Sequence, residues 1–287
     1  MTRATLIGFT AILLWSTLAL LTAGSGAVPP FQLAALTFLI GGVAGLPFLL
    51  RSPRGLATLR QPPLAWLHGV GGLFGYHFVY FSALRLAPPA EAGLIAYLWP
   101  LLIVLLSATL PGEKLRAAHI LGAIMGFAGT VVLITGRSGG LSYDPAYLPG
   151  YAAALICAVI WSVYSVTSRR FTEVPTEAVA GFCLGTAALS ALAHLLFETT
   201  LWPADAIQWL AVLGLGLGPV GLAFYVWDVG MKRGDVRLLG VASYAAPVLS
   251  TLLLVAFGFA EATAALALAC ALIVGGACVA TLLGRRA

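Results

Sequence analysis

The sequence predicts an all-α integral membrane protein of ten transmembrane helices, arranged as two inverted-topology five-helix repeats around a central cavity. Three observations predict it. Of the 287 residues, 61% are hydrophobic and 9% charged, where a soluble domain carries about 25% charged residues, so the polar groups cannot coat a globular surface. The apolar residues fall in runs close to the roughly 20 residues that cross a hydrocarbon core as a helix. Segments of the first half recur in the second at a nearly constant offset.

The runs place spans at 5–23, 31–50, 63–84, 90–110, 118–136, 150–168, 177–197, 208–230, 238–258 and 263–284. Short turn-forming stretches such as "GAVPP", "RSPRG", "SYDPAYLP" and "LWPAD" separate them. The first apolar stretch is too long for the core of a signal peptide and is read as a retained span. An even number of spans puts both termini on one side. That side receives Arg3, Arg51, Arg54, Arg60, Lys114, Arg116, Arg169, Arg170, Lys232, Arg233, Arg237, Arg285 and Arg286, whereas the other receives Arg85 and Arg137. Basic residues accumulate on the cytoplasmic side of membrane proteins, so the termini are expected in the cytoplasm, with the chain in the cell (inner) membrane. The net charge of +5 is then a topological signal, and nucleic acid is not an expected partner. Cys157, Cys183, Cys270 and Cys278 lie in apolar runs without metal-ligand spacing and read as small core residues. Neither a metal nor a cofactor is expected.

At an offset of 147, Gly93 meets Gly240, Tyr97 meets Tyr244, Pro100 meets Pro247, and "HFVYF" (77–81) meets "FYVWD" (224–228). At 146, Trp15-Ser16 meets Trp161-Ser162. Residues 1–137 and 150–287 therefore read as two repeats. With five spans each, the second enters the membrane from the opposite side. Inverted repeats place their site near the midplane, where helices are broken. Pro100 and Pro247, mid-span in spans 4 and 9, lack an amide hydrogen and free the carbonyls of Ala96 and Ser243. Both prolines are expected to kink their helices beside the cavity.

These features, with "LWS" in span 1, "AVIWSVYSV" in span 6, "YLWPLL" in span 4 and "SYAAPVL" in span 9, resemble the drug/metabolite transporter superfamily and its EamA-type ten-helix exporters, over nearly the whole chain. "LPGEKL" after span 4 and "FGFAEA" after span 9 add to it. The resemblance implies export from the cytoplasm by alternating access of a cavity lined by spans 1, 3, 4, 6, 8 and 9. On that basis the candidate substrate-binding residues are Trp15 and Ser16; Tyr76, His77 and Tyr80; Tyr97 and Trp99; Trp161, Ser162, Tyr164 and Ser165; Tyr225 and Trp227; and Ser243 and Tyr244. Within span 3, Tyr76, His77 and Tyr80 share one helical face. His77 is the one histidine well inside a span, and intramembrane ionisable residues mark function by default. Asp228 and Lys232, four apart, are expected to pair near the end of span 8, and Glu91 to meet Arg85 or Arg137. "GAIMG" (122–126) and "GLGLG" (214–218) read as close-packing surfaces of helices.

The cavity's aromatic and hydroxyl side chains fit an amino acid as substrate. The aromatic-rich span 3, "GYHFVYFSAL", resembles that of superfamily members exporting aromatic amino acids. Other small metabolites and drugs are the alternative on the same frame. Sugar phosphates fit less well, because all basic residues lie at or beyond span ends. An intramembrane enzyme stands furthest away, since His77 has no second catalytic group near it in sequence. The lipid bilayer is the expected surrounding, and a monomer the expected working unit.

Overall fold

The computed structural model describes residues 2–112, 115–138, 144–258 and 261–283. Glu113, Lys114, Phe259, Ala260, Arg285 and Arg286, which enter the loop echo and the charge asymmetry, lie outside the described residues, as does the side chain of Arg137. All regular elements among the described residues are helical. Span 1 is α1 (Arg3–Ser16) and α2 (Leu18–Gly24); span 2 is α3 (Pro30–Arg51); span 3 is α4 (Pro63–Leu86); span 4 is α5 (Pro89–Ala96) and α6 (Trp99–Leu106); span 5 is α7 (Ala117–Ser138). In the second half, span 6 is α8 (Leu148–Thr167), span 7 is α9 (Val179–Phe197), span 8 is α10 (Ala206–Leu217) and α11 (Ala223–Arg233), span 9 is α12 (Val236–Ala242) and α13 (Ala245–Ala256), and span 10 is α14 (Ala264–Cys278). Proline opens α3, α4 and α5, where its missing amide hydrogen costs nothing. Side chains of Thr2, Asp205, Asp235 and Thr263 cap α1, α10, α12 and α14.

Nine spans among the described residues are long and apolar enough to cross a membrane. The tenth, α4, has 24 residues but carries His68, Tyr76, His77, Tyr80 and Arg85. Contacts between connections place its two ends on opposite faces of the bundle. The short 3₁₀ turn before it (Gly55–Leu59) packs on the turn that opens span 7 (Thr176–Ala178), whereas Arg85 at its far end pairs with Glu198 at the close of span 7. Other contacts sort onto the same two faces. On the N-terminal face the Asp235 amide donates to Thr5 Oγ1 (2.9 Å), and Arg169 donates to the Gly234 carbonyl. On the opposite face the Phe31 and Gln32 amides donate to Glu198.

The closest helix pairs are α3 with α9, α7 with α14, α4 with α8, and α1 with α11. In spans these are two with seven, five with ten, three with six, and one with eight. Exchanging each span for its counterpart five places away maps the set onto itself, the packing of two five-helix units related by a two-fold axis. Glycines let these pairs approach. A β-carbon on Gly8 or Gly230 would meet the other's backbone between α1 and α11. Gly122 of "GAIMG" is likewise held against Gly276 of α14, and Gly216 of "GLGLG" against Thr37 and Ile40 of α3.

Span 1 is broken at Thr17, so the continuous helix expected there is two. Span 8 holds a π-helical turn (Gly218–Leu222) between α10 and α11. The expected breaks in spans 4 and 9 are present, at Tyr97–Leu98 and Ser243–Tyr244, and they differ. In span 9 the Ala246 amide donates to the Ser243 carbonyl (3.1 Å), restoring the bond Pro247 removes. No backbone donor reaches the Ala96 carbonyl among the described residues. Cys157 and Cys183 are core residues as expected, but Cys270 is half-buried and Cys278 exposed on α14.

Candidate functional site

Four tryptophans from four spans meet at the centre of the bundle. Trp15 (span 1), Trp99 (span 4), Trp161 (span 6) and Trp227 (span 8) contact one another in every pairing, with ring centroids 4.9–6.4 Å apart. Trp99, Trp161 and Trp227 are buried and Trp15 half-buried. Backbone breaks and hydroxyls orient them. The π-turn of span 8 delivers the Pro219 carbonyl to Trp15 Nε1 (3.1 Å), and Trp227 Nε1 donates to Ser165 Oγ (3.1 Å). The indole N–H groups of Trp99 and Trp161 have no hydrogen-bond partner among the described residues and are not sealed from solvent. Two of the four indoles are therefore held, and two retain a donor.

Span 3 lays a polar aromatic stripe against the tetrad. The Tyr76 ring lies 5.2 Å from Trp161 and stacks on Tyr80 at 5.9 Å. The hydroxyls of Tyr76, Tyr80 and Tyr97 lie near one another, those of Tyr76 and Tyr80 also near the Cys157 thiol. His77 packs edge-on against Phe38 (5.0 Å) and Tyr76 (5.1 Å). Its Nδ1 lies 2.7 Å from the Leu73 carbonyl. A carbonyl only accepts, so Nδ1 carries the proton and Nε2 is the nitrogen left for another partner. Tyr76, His77, Tyr80 and Tyr97 sit mid-span yet remain part-exposed. No charged side chain joins this group, so the site is apolar in its walls and dipolar in its tips.

Other candidates stand elsewhere. Ser16 and Ser243 bond to carbonyls of their own helices, Leu13 and Leu239, the local default of a helical serine. Tyr225 Oη donates to the Gly41 carbonyl of α3 (3.1 Å), away from the tetrad. Tyr244 is fully buried, and its oxygen accepts from the Leu101 amide (3.1 Å). Ser162 Oγ lies 2.6 Å from the Ala158 carbonyl of its own helix and 3.0 Å from the Trp99 carbonyl, and Ser165 accepts from Trp227. These six hydroxyls are engaged by protein. Tyr164 packs beneath Trp161 (5.3 Å) and is buried. Trp227 of span 8, which matches Tyr80 at the 147-residue offset, is joined to the other three tryptophans by ring contacts. Phe38 and Phe224, stacked at 5.4 Å beside His77, carried no polar mark to single them out.

Toward the N-terminal face the tetrad is underlain by a buried network. Lys232 Nζ lies 2.9 Å from Asp228 and donates to the Val174 carbonyl (2.8 Å), while Asp228 accepts from Thr176 Oγ1 (2.7 Å). The expected Asp228–Lys232 pair is present, and it ties span 8 to the start of span 7. His68, Tyr164, Asp228 and Lys232 bound a cavity of about 10 Å³, room for one water. On the opposite face Glu198 gathers Arg85 (2.8 Å), His194 (2.9 Å) and two amides of α3. Glu91 receives the Tyr151 hydroxyl, so Arg85 pairs with Glu198 rather than with Glu91. An apolar groove of about 480 Å³ opens between spans 1, 9 and 10. Its one threonine, Thr281, bonds within α14's own continuation, which makes the groove a poor site for a polar solute. No cluster that could hold a metal ion occurs among the described residues.

The chain matches the model of the EamA-like transporter family twice, over residues 2–135 and 148–282. It is 72% identical over 283 residues to the aromatic amino acid exporter YddG of Ancylobacter novellus, covering 99% of this chain and 98% of that one. The exporter of the same name from Escherichia coli is 29% identical over 271 residues, covering 88% and 87%. A solved crystal structure at 72% identity matches with a TM-score of 0.95, covering 99% and 98% of the two chains. An all-helical, multi-pass bundle with two-fold helix pairing, and a family match to each half, carry one conclusion: this chain belongs to the EamA-like transporter family.

Proposed function

We propose that the protein is a secondary transporter that exports aromatic and other apolar amino acids from the cytoplasm by alternating access, without altering them chemically. The tryptophan tetrad with its tyrosine stripe is the observation that carries this reading. Rings supply apolar area and stacking surface for an aromatic side chain, and their faces attract an ammonium group. The indole N–H groups of Trp99 and Trp161 supply donors for a carboxylate, while His77 Nε2 and the Ala96 carbonyl supply acceptors. Trp15, Tyr76, His77, Tyr80, Tyr97, Trp99, Trp161 and Trp227 form the binding site. The names of the similar exporters support the substrate class.

Residues 1–137 and 150–287 are the two inverted repeats, supported by the double family match and the self-mapping helix pairs. The excess of basic residues on the N-terminal face supports cytoplasmic termini. We take the cell (inner) membrane as its location and a monomer as its working unit. The test is flux in liposomes holding the purified protein, with tryptophan, phenylalanine, leucine, lysine and glutamate as substrates. Faster movement of the first three, recovered unchanged, is expected. Equal movement of all five, or none, overturns the reading.

A further inference from the structure

The break in span 4 leaves one amide in particular need. Leu101 is the third residue of α6, and in an unbroken helix its N–H would bond the carbonyl of Tyr97. Here that bond is absent, and the acceptor is the hydroxyl of Tyr244, at the break of span 9 in the other half of the molecule. A side-chain oxygen accepting from the third amide of a helix is the work of an N-cap residue; Tyr244 performs it from another helix. The repeat partner does not return the bond. Tyr97, the counterpart of Tyr244, is part-exposed, and its hydroxyl receives no amide from span 9 among the described residues. Two residues before the capped amide, the Trp99 carbonyl lies 3.0 Å from Ser162 Oγ of span 6, which shares its one hydroxyl hydrogen between Trp99 and the Ala158 carbonyl of its own helix (2.6 Å). The segment 99–101 is thus fastened at its carbonyl by one helix and at its amide by another. It carries Trp99 of the tetrad and follows directly on Tyr97.

We infer that Tyr244 and Ser162 are positioning residues: they touch no substrate but fix the broken segment of span 4 so that Trp99 and Tyr97 face the site at one orientation. This deepens the binding site proposed above and rests on it. Tyr244 is wholly buried against Gly126 and Phe127, and a phenylalanine keeps every contact except the hydroxyl. Tyr244→Phe leaves the Leu101 amide without an acceptor, and Ser162→Ala releases the Trp99 carbonyl.

The experiment measures tryptophan and leucine flux in liposomes for the whole chain, for both variants and for Ser162→Thr, which keeps a hydroxyl donor. The half-saturating tryptophan concentration should rise by about tenfold in Tyr244→Phe and Ser162→Ala, with maximal rate kept and preference for tryptophan over leucine reduced. Ser162→Thr should restore it. Near-ultraviolet circular dichroism of the tetrad, which needs no substrate, should change in the first two variants. Unchanged half-saturation and dichroism overturn the inference. An equal fall in maximal rate for both substrates, with a lower melting temperature and no threonine rescue, also overturns it, because that marks a general structural role. Should the wild type move no amino acid while the dichroism responds as expected, the proposed function fails and the positioning role stands.

Discussion

Asp228→Asn removes one charge from a pair that the structure buries almost completely. The carboxylate is 5% and the ammonium 4% exposed, and they are 2.9 Å apart. Between them they hold Thr176 and the Val174 carbonyl at the mouth of span 7. The variant leaves Lys232 charged, dry and without its counter-ion, a change that costs about 3–5 kcal/mol in buried pairs. If the mouth on the N-terminal face opens during transport, water reaches Lys232 in the open state and the cost falls on the closed state alone. At about 1.4 kcal/mol per decade, the closed-to-open ratio then drops by roughly two to three and a half orders of magnitude. The double variant Asp228→Asn/Lys232→Met removes both charges, and replacing a buried pair by apolar groups is often neutral, so it should return toward the wild type. Ala65, buried beside this network, is the reporter. In protein whose native cysteines are replaced, Ala65→Cys is labelled by an impermeant maleimide offered from the N-terminal face. Labelling should accelerate at least tenfold in Asp228→Asn and slow again in the double variant. Wild-type labelling in Asp228→Asn, or a double variant as open as the single, refutes the reasoning; a lower melting temperature with unchanged labelling does the same.

Arg85 stands 147 residues before Lys232, at the equivalent place in the first half, and binds Glu198 at the other end of span 7. It is 45% exposed, so screening leaves its pair with at most about 1 kcal/mol, and Arg85→Gln should raise labelling at the opposite mouth no more than about fivefold. Trp161 touches six other rings and is 3% exposed, so Trp161→Ala should cost about 3–5 kcal/mol of stability and lower the melting temperature, whereas Trp161→Phe should fold normally and lose transport of tryptophan. His77 donates from Nδ1 to Leu73, so His77→Gln should retain more flux than His77→Ala; equal loss, with flux following a titration near neutral pH, points to a protonation role instead.

Much of this architecture was legible in the chain because the bilayer permits few solutions. Run length marked the spans, prolines marked the breaks of spans 4 and 9, and basic residues sorted the faces. Trp15, Trp99 and Trp161 stood out because large aromatics deep in a span need a reason. Hydroxyl destinations were not legible. A serine in a helix bonds its own backbone by default, and whether it also reaches a neighbour, as Ser162 reaches the Trp99 carbonyl besides Ala158 while Ser16 stays on Leu13, is decided by how two helices approach. Tyr97 and Tyr244 occupy matching positions in sequence, yet one is part-exposed and the other is buried and fastens a neighbouring helix. The π-turn of span 8 was missed for a related reason: Pro219 signals a disturbed helix, but only the indole of Trp15 shows what the displaced carbonyl is for.

The polar character of α4 has a consequence for how the protein is made. Span 3 enters the membrane before span 6, its closest packing partner, has been synthesised. For that interval its histidines and tyrosines have no helix to receive them, and its own apolarity must suffice for insertion. Arg51, Arg54 and Arg60 stand just ahead of it; under the orientation proposed above, their positive charge would hold that connection on the cytoplasmic side during entry. Additional polarity in α4, even at positions outside the binding site, would therefore appear as misassembled protein before it appeared as altered transport. The aromatic content of the cavity is bounded on one side by recognition and on the other by biogenesis.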